Sequence, residues 1–223
     1  MPSGKLTLVP TPIGNLEDIT IRAIEVLGIA DAIAAEDTRS AKTLLKKYKI
    51  DKPLFSYHVK NEREKADDII RQVVGGRRIA VISESGTPGI SDPGFTLVRK
   101  AIDAGIEFEV LPGPTAFVVA LVLSGFPVAG FSFEGFLPHS GKGRRRRLRQ
   151  LADEPPRTLV FYVSPHRVED FINDAINILG DRQAALCREL TKIHEEIIRG
   201  KLSELLEQLG EPRGEMVLVI GPE

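Results

Sequence analysis

The sequence predicts an α/β protein of two domains with mostly parallel or mixed sheets, and three observations predict it. Through the first half, short apolar runs alternate with stretches of helical periodicity, the pattern of a parallel sheet covered by helices. Four loop segments fall where strands should end: VPTPIGN (9–15), AEDTR (35–39), SESGTPGISDPG (83–94) and LPGPTA (111–116). The second half keeps strands and helices but changes its connections, with a basic stretch and a DEPP turn (153–156) after its first strand. The boundary is placed between residues 1–116 and 117–223, with the join running through Leu111 to Ser124 and a cleft between the domains.

Each element has its own signal. Lys5–Val9 alternates and is rich in Leu and Val, as a first strand should be. A helix follows over Thr20–Leu27, with Gly28 as its stop, and Ala30–Ala34 is a second short strand. Asp37 or Thr38 caps a helix reaching about Tyr48. Asn61 with Glu64 has the spacing of a capping box for a helix over Glu62–Val74, ended by Gly75 and Gly76. The continuous apolar run Arg78–Ile82 reads as a buried parallel strand. Asp92 and Pro93 mark a helix start, as cap and first-turn proline, and Gly105 marks its stop. Phe108–Leu111 is the next strand, and Pro114 opens an apolar helix that ends near Gly125. Beyond it, Phe131–Glu134, Thr158–Val163, Ala184–Arg188 and Met216–Ile220 read as strands, and His166–Leu179 and Lys201–Leu209 as helices.

Composition narrows the classes. A chain of 223 residues, 42% hydrophobic and 27% charged, has room for one large core or two small ones. No apolar run approaches the roughly 20 residues of a membrane helix. The start, MPSGKLTLV, enters a strand almost at once and leaves no room for a secretory leader. The single cysteine, Cys187, excludes an internal disulfide and fits a reducing cytoplasm. Neither it nor the four histidines shows metal-ligand spacing.

A net charge of −1 is distributed unevenly, because Lys142 to Arg149 (KGRRRRLR) carries six positive charges and no negative one. This stretch is either a solvated loop or exposed helix start, or a patch for a polyanion, with Lys142, Arg144, Arg145, Arg146 and Arg147 as RNA-binding candidates. The preceding GFLPHSGKG (135–143) is not an NTPase phosphate loop. Five residues separate Gly135 from Gly141, and Gly143 stands where Ser or Thr should hold magnesium. No GxGxxG pattern opens a helix, which argues against a dinucleotide-dependent oxidoreductase.

In an open α/β sheet the carboxyl ends of the strands form the ligand crevice. Bare backbone approaches a ligand closely there, and helix N-termini aim free N–H groups at it. The four loops therefore point to a bound small molecule, most plainly a cofactor.

At these loops the chain resembles the tetrapyrrole methylase superfamily, and within it the ribosomal RNA small subunit methyltransferase I family. The resemblance rests on VPTPIGNLEDIT (9–20), AAEDTR (34–39), GTPGISDPG (86–94), LPGPTA (111–116), EGFLP (134–138), SPHR (164–167), RELTK (188–192) and GEMVLV (214–219). These motifs are in family order and span nearly the whole chain. The resemblance implies two α/β/α domains, a homodimer and a folded S-adenosylmethionine in the interdomain cleft. It also implies 2′-O-methylation of a cytidine ribose in small-subunit ribosomal RNA, on naked RNA or the assembled particle. By family position Pro10, Thr11, Pro12, Gly86, Thr87, Ile90, Ser91, Gly113, Thr115, Ala116 and Glu189 line the cofactor.

A ribose hydroxyl is a poor nucleophile, so a base or cation beside it helps by about a hundredfold or more. Glu36, Asp37, Arg39 and His58 are the catalytic candidates, with Asn61 beside His58; for Asp37 a plain helix cap is the competing role. Glu189 and Lys192 either face the cleft or pair with each other. Three departures from the family pattern stand out: Glu84 in place of Asp, Val163 in place of Glu before SPHR, and a chain ending at Glu223 where many relatives continue into a helical segment. Two other classes compete, a small-molecule (corrin-type) methylase and a non-catalytic RNA-binding or ribosome assembly factor.

Overall fold

The computed structural model describes residues 4–222; Met1–Ser3, which the sequence places as the lead into the first strand, and Glu223 lie outside the described residues. The chain divides into two compact units, Met1–Thr115 and Ala116–Glu223.

The first unit runs β1 (Lys5–Leu8), α1 (Ile21–Ile29), β2 (Ala32–Ala35), α2 (Thr38–Lys47), β3 (Leu54–Ser56), α3 (Glu62–Val74), β4 (Arg78–Ile82), α4 (Phe95–Asp103) and β5 (Phe108–Val110). Its sheet has the order β3-β2-β4-β1-β5, and every pairing is parallel. Strand residues alternate between two cores, as the pleat requires. Ile33, Ala35, Ala80 and Ile82 pack with Leu27, Leu44 and Leu45 of α1 and α2. Leu6, Leu8, Ala32, Ala34, Ile79 and Val81 pack with Ile69, Val73 and Leu97 of α3 and α4. Both faces are covered, which is why these strands read as apolar runs.

The second unit runs α5 (Ala116–Ser124), β6 (Phe131–Phe136), α6 (Gly141–Ala152), β7 (Thr158–Val163), α7 (Val168–Leu179), β8 (Gln183–Arg188), β9 (Glu196–Lys201), α8 (Leu202–Gln208) and β10 (Met216–Ile220). Its sheet, β6-β7-β10-β8-β9, is mixed: β6 and β7 run parallel and the other pairs antiparallel. Helices α6, α7 and α8 bury Leu148, Leu151, Phe171, Ile172, Leu202 and Leu205 against Leu159, Phe161, Leu186 and Leu218. Among the described residues no helix is long and apolar enough to cross a membrane.

The fold class agrees with the sequence, and the differences are local. Two strands carried too little signal: β3 is three residues long, and β9 holds charge at Glu196, Arg199 and Lys201. Gly28 is not a stop, since α1 continues to Ile29 and a side chain at Gly28 would meet nothing within 4 Å. Asn61 does precede α3 but does not cap it; its Oδ1 accepts from the His58 N–H (2.8 Å) and its Nδ2 donates to the Ser56 carbonyl (3.2 Å). Helix α4 starts after Gly94 rather than at Asp92, and its cap comes from another helix. Glu62 Oε1 accepts from the N–H groups of Gly94 (3.1 Å) and Thr96 (3.3 Å), supplying the acceptor that a local Asp usually provides.

Candidate cofactor and catalytic site

The order β3-β2-β4-β1-β5 places a topological switch point between β4 and β1. From β1 the chain crosses toward β2 on the face of α1 and α2, and from β4 it crosses toward β5 on the face of α3 and α4, so the two loops leave neighbouring strand ends toward opposite faces of the sheet. The structure locks these loops together there. The Thr11 N–H donates to the Gly86 carbonyl (2.9 Å), and the Gly86 N–H donates back to the Thr11 carbonyl (3.1 Å). The Ser83 hydroxyl donates to the Gly86 carbonyl at 2.8 Å, holding the turn from inside. The loop after β5 joins through Thr87, whose hydroxyl donates to the Pro114 carbonyl (3.1 Å) and lies 2.8 Å from that of Thr115.

Glycine is required at two of these positions. A Cβ at Gly113 would lie 2.5 Å from Pro10 Cβ, and Pro10 is itself buried. Gly86 has φ +82°, and its Cβ would sit 3.3 Å from Ile13 Cγ2 and 3.4 Å from the Pro114 carbonyl. Pro10, Thr11, Pro12, Gly86, Thr87, Gly113 and Thr115 are thus brought into one assembly, with Ile90 and Ser91 further along the same loop. Pro112, Gly113, Gly89 and Ser91 are exposed, so the rim offers backbone rather than bulky side chains. Exposed backbone N–H and C=O groups of this kind can hydrogen-bond the polar parts of a nucleoside and an amino acid. Ala116 opens α5 in the second unit.

Beside this assembly, the residue after β2 is Glu36. Burial raises its pKa above the ordinary carboxylate value, and the carboxylates of Glu84 and Asp37 push the same way. A hydrogen bond from the Glu84 backbone and the field of His58 oppose the rise without cancelling it. Two buried atoms here have no hydrogen-bond partner, Glu36 Oε2 and His58 Nδ1. Glu36, Asp37, His58 and Glu84 therefore form one electrostatic cluster. Asp37 caps α2, its Oδ1 accepting from the Arg39 N–H at 2.6 Å, and Arg39 is exposed.

Sequence reasoning missed Glu62. Besides capping α4 it accepts from the Tyr57 hydroxyl at 3.3 Å, and so ties the far end of the loop 83–94 to α3. Burial, then the Glu62 carboxylate, push the Tyr57 phenol well above its usual value. Nothing in the sequence marks Glu62 beyond its place at the start of a helix.

In the second unit the basic stretch forms most of α6, and its charges are not equivalent. Arg144 is buried, with 8% of its side chain exposed, and pairs with Asp174 at 2.7 Å. Its place among the RNA contacts is corrected accordingly: this guanidinium faces the core. Arg147 grips both oxygens of Glu134 (2.8 and 3.1 Å) and reaches Glu154, so it too is largely neutralised. Arg145 is exposed and pairs loosely with Asp174 at 3.4 Å. Lys142 and Arg146 are exposed without an ion-pair partner among the described residues. A Cβ at Gly143 would lie 2.8 Å from Pro138 Cβ, so packing rather than chemistry excludes the Ser or Thr of a phosphate loop.

Glu189 and Lys192 pair with each other at 2.8 Å, and Glu189 also accepts from the Glu215 N–H. Lys192, then the Glu215 backbone, hold the Glu189 carboxyl below its usual range. Val163 ends β7 buried opposite Met216, an apolar place where a Glu would need a partner.

Residues 5–206 match the family model of Tetrapyrrole (Corrin/Porphyrin) Methylases. The chain belongs to the tetrapyrrole methylase family. It is 46% identical over 219 residues to the ribosomal RNA small subunit methyltransferase I of Thermotoga maritima, a match covering 97% of this chain and 98% of that protein. The protein of that name from Escherichia coli O157:H7 is 47% identical over 222 residues, covering 97% of this chain and 77% of its own. Solved tetrapyrrole methylase-like folds agree in architecture. Diphthine synthase superposes with a TM-score of 0.76 at 13% identity, covering 98% of this chain and 90% of its own. A Thermus thermophilus uroporphyrin-III C-methyl transferase complexed with S-adenosyl homocysteine gives 0.69 at 22%, covering 98% and 97%. The chain is a methyltransferase with S-adenosylmethionine as cofactor.

Proposed function

We propose that this methyltransferase acts on small-subunit ribosomal RNA, at the 2′-hydroxyl of a cytidine ribose. The observation that carries the reading is the identity of 46% with a ribosomal RNA small subunit methyltransferase I across 97% of this chain and 98% of the relative. A homodimer in the cytoplasm, working on naked small-subunit RNA or the assembled small subunit, is part of the same proposal.

Bound S-adenosylmethionine supplies an activated methyl group, so the protein's task is to orient the partners and match the charge that develops. The loops carrying Pro10–Pro12, Gly86–Ser91 and Gly113–Thr115 hold the cofactor by backbone groups, and their mutual hydrogen bonds keep those groups in place before it arrives. Within the second unit Glu189 fixes the backbone of its own turn. Glu36 receives the ribose proton at Oε2, the buried oxygen with no partner. Burial raises its pKa above the ordinary carboxylate value, which makes the ionised form a stronger proton acceptor. His58 stands near enough for its field to act on the same carboxylate. Asp37 fixes the start of α2, from which the exposed Arg39 reaches a backbone phosphate. Lys142, Arg145 and Arg146 supply further phosphate contacts.

Transfer of radiolabelled methyl groups to naked small-subunit RNA and to assembled subunits tests the reading. Label in a cytidine ribose from either substrate supports it, and no transfer to either overturns it.

A further inference from the structure

We propose that the groove between the end of β6 and helix α6 is a stacking site for one unpaired base of single-stranded RNA, with Phe136 as platform and Arg146 as the cation beside it. The inference rests on the RNA-methyltransferase reading and deepens it. The groove has a volume of about 380 Å³, enough for a nucleobase, and is lined by Phe136, Leu137, Pro138, Gly143, Arg146 and Arg147 among others.

The backbone aims Phe136 deliberately. Strand β6 carries a register shift between Phe133 and Gly135, with Gly135 at φ +59°. In an unbroken strand, residues three apart point to opposite faces. The bulge removes that opposition, and both Phe133 and Phe136 meet the ring of Tyr162, at 5.0 and 5.4 Å between centroids. Phe133 stacks in turn on Phe117 at 4.3 Å. Phe136 is therefore the outer member of a braced aromatic row, yet 58% of it is exposed. A braced ring with an open side loses little freedom on stacking.

The charges around it select the partner. Glu134 itself lines the groove, but both its oxygens are taken by Arg147, and Ser132 donates to one of them. Burial works to raise its pKa, and Arg147 and Ser132 outweigh that, so it stays ionised and paired. Among the described residues Arg146 remains as unpaired positive charge lining the groove. An aromatic platform beside an unpaired guanidinium is the combination that binds a base and its phosphate. Bases of a duplex hide their faces in the stack, which restricts the occupant to an unpaired nucleotide.

The chain contains no tryptophan, so Phe136→Trp installs a single fluorescent reporter. Titration with a single-stranded cytidine-containing ribo-oligonucleotide should quench it, and a duplex of equal length should quench it several-fold less. Phe136→Ala should weaken single-strand binding by about tenfold or more, Phe136→Tyr by less than about twofold, and cofactor affinity should not move in any variant. An unquenched tryptophan in protein that still binds RNA by anisotropy overturns the groove and leaves the RNA reading standing. So does wild-type RNA affinity in Phe136→Ala. Wild-type protein that neither binds nor methylates RNA overturns both.

Discussion

In the first unit the loops at the sheet edge are held by backbone and hydroxyl groups: Thr11 against Gly86, Ser83 inside the turn, Thr87 against Pro114. In the second, the segment that draws the eye is held by ions: Arg144 on Asp174 and Arg147 on Glu134. Neutral locks leave the charge beside these loops to a few groups, among them Glu36 and Glu84. Ionic locks consume part of the charge that defines the second region in the sequence. A dense motif of Gly and Pro thus reports a set of mutually bonded loops at the sheet edge, whereas a run of Arg overstates the charge on offer.

The ionic side of this contrast breaks most sharply at Arg144. Arg144→Ala leaves Asp174 nearly buried without its strongest partner and should destabilise the protein by about 3–5 kcal/mol, read by urea unfolding. Arg145→Ala, on an exposed residue sharing the same Asp174, should change stability by less than about 1 kcal/mol. Equal effects of the two would mean that burial does not distinguish them.

On the neutral side, Glu36→Gln should lower kcat about a hundredfold or more while leaving cofactor affinity near wild type. Stability gives an independent sign. The folded carboxyl has a pKa raised above its ordinary value of 4.5, so the folded state holds the proton more tightly than the unfolded chain. Stability from this group is present at low pH and is lost as pH rises through that window. Glu36→Gln should therefore raise the Tm at pH 7 relative to wild type and close the gap near pH 4. A Tm that falls at pH 7 would place Glu36 among structural groups.

The packing of the loops is tested at Gly113. Gly113→Ala forces a methyl group into Pro10 and should cost about 1–3 kcal/mol, with a larger loss in cofactor affinity than Arg145→Ala causes. Gly28→Ala, in open space within α1, should instead stabilise by about 0.5–1 kcal/mol. Calorimetry with S-adenosylmethionine separates the two effects.

Much of this architecture was legible in the sequence because the signals were local. Helix α3 and strand β4 agree residue for residue, since an apolar period with a Gly-Gly stop and a continuous apolar run are both decided by neighbours in the chain. What stayed hidden depends on residues far apart. The cap of α4 comes from Glu62, 32 positions before Gly94. The burial of Arg144 depends on Asp174, 30 positions away. The bulge that turns Phe136 onto Tyr162 is set by register with β7, which no window of sequence contains. At Asp37 both roles were visible in advance; the capping bond is observed, and the catalytic one remains a proposal about its neighbours.

The smallest expected change in stability belongs to the charges that no carboxylate engages. Replacing both Lys142 and Arg146 by Ala should move stability by less than about 0.5 kcal/mol, because both side chains are exposed and neither has an ion-pair partner among the described residues. The same double variant should reduce the slope of log affinity for RNA against log salt by roughly two units, one for each phosphate left without its cation. Arg147→Ala provides the contrast. Removing the guanidinium leaves the ionised Glu134 uncompensated beside the groove, so RNA affinity should fall together with stability. If the double variant kept the full salt slope, the polyanion surface of this protein would have to lie off α6, and the length of the arginine run would reflect only the needs of the fold.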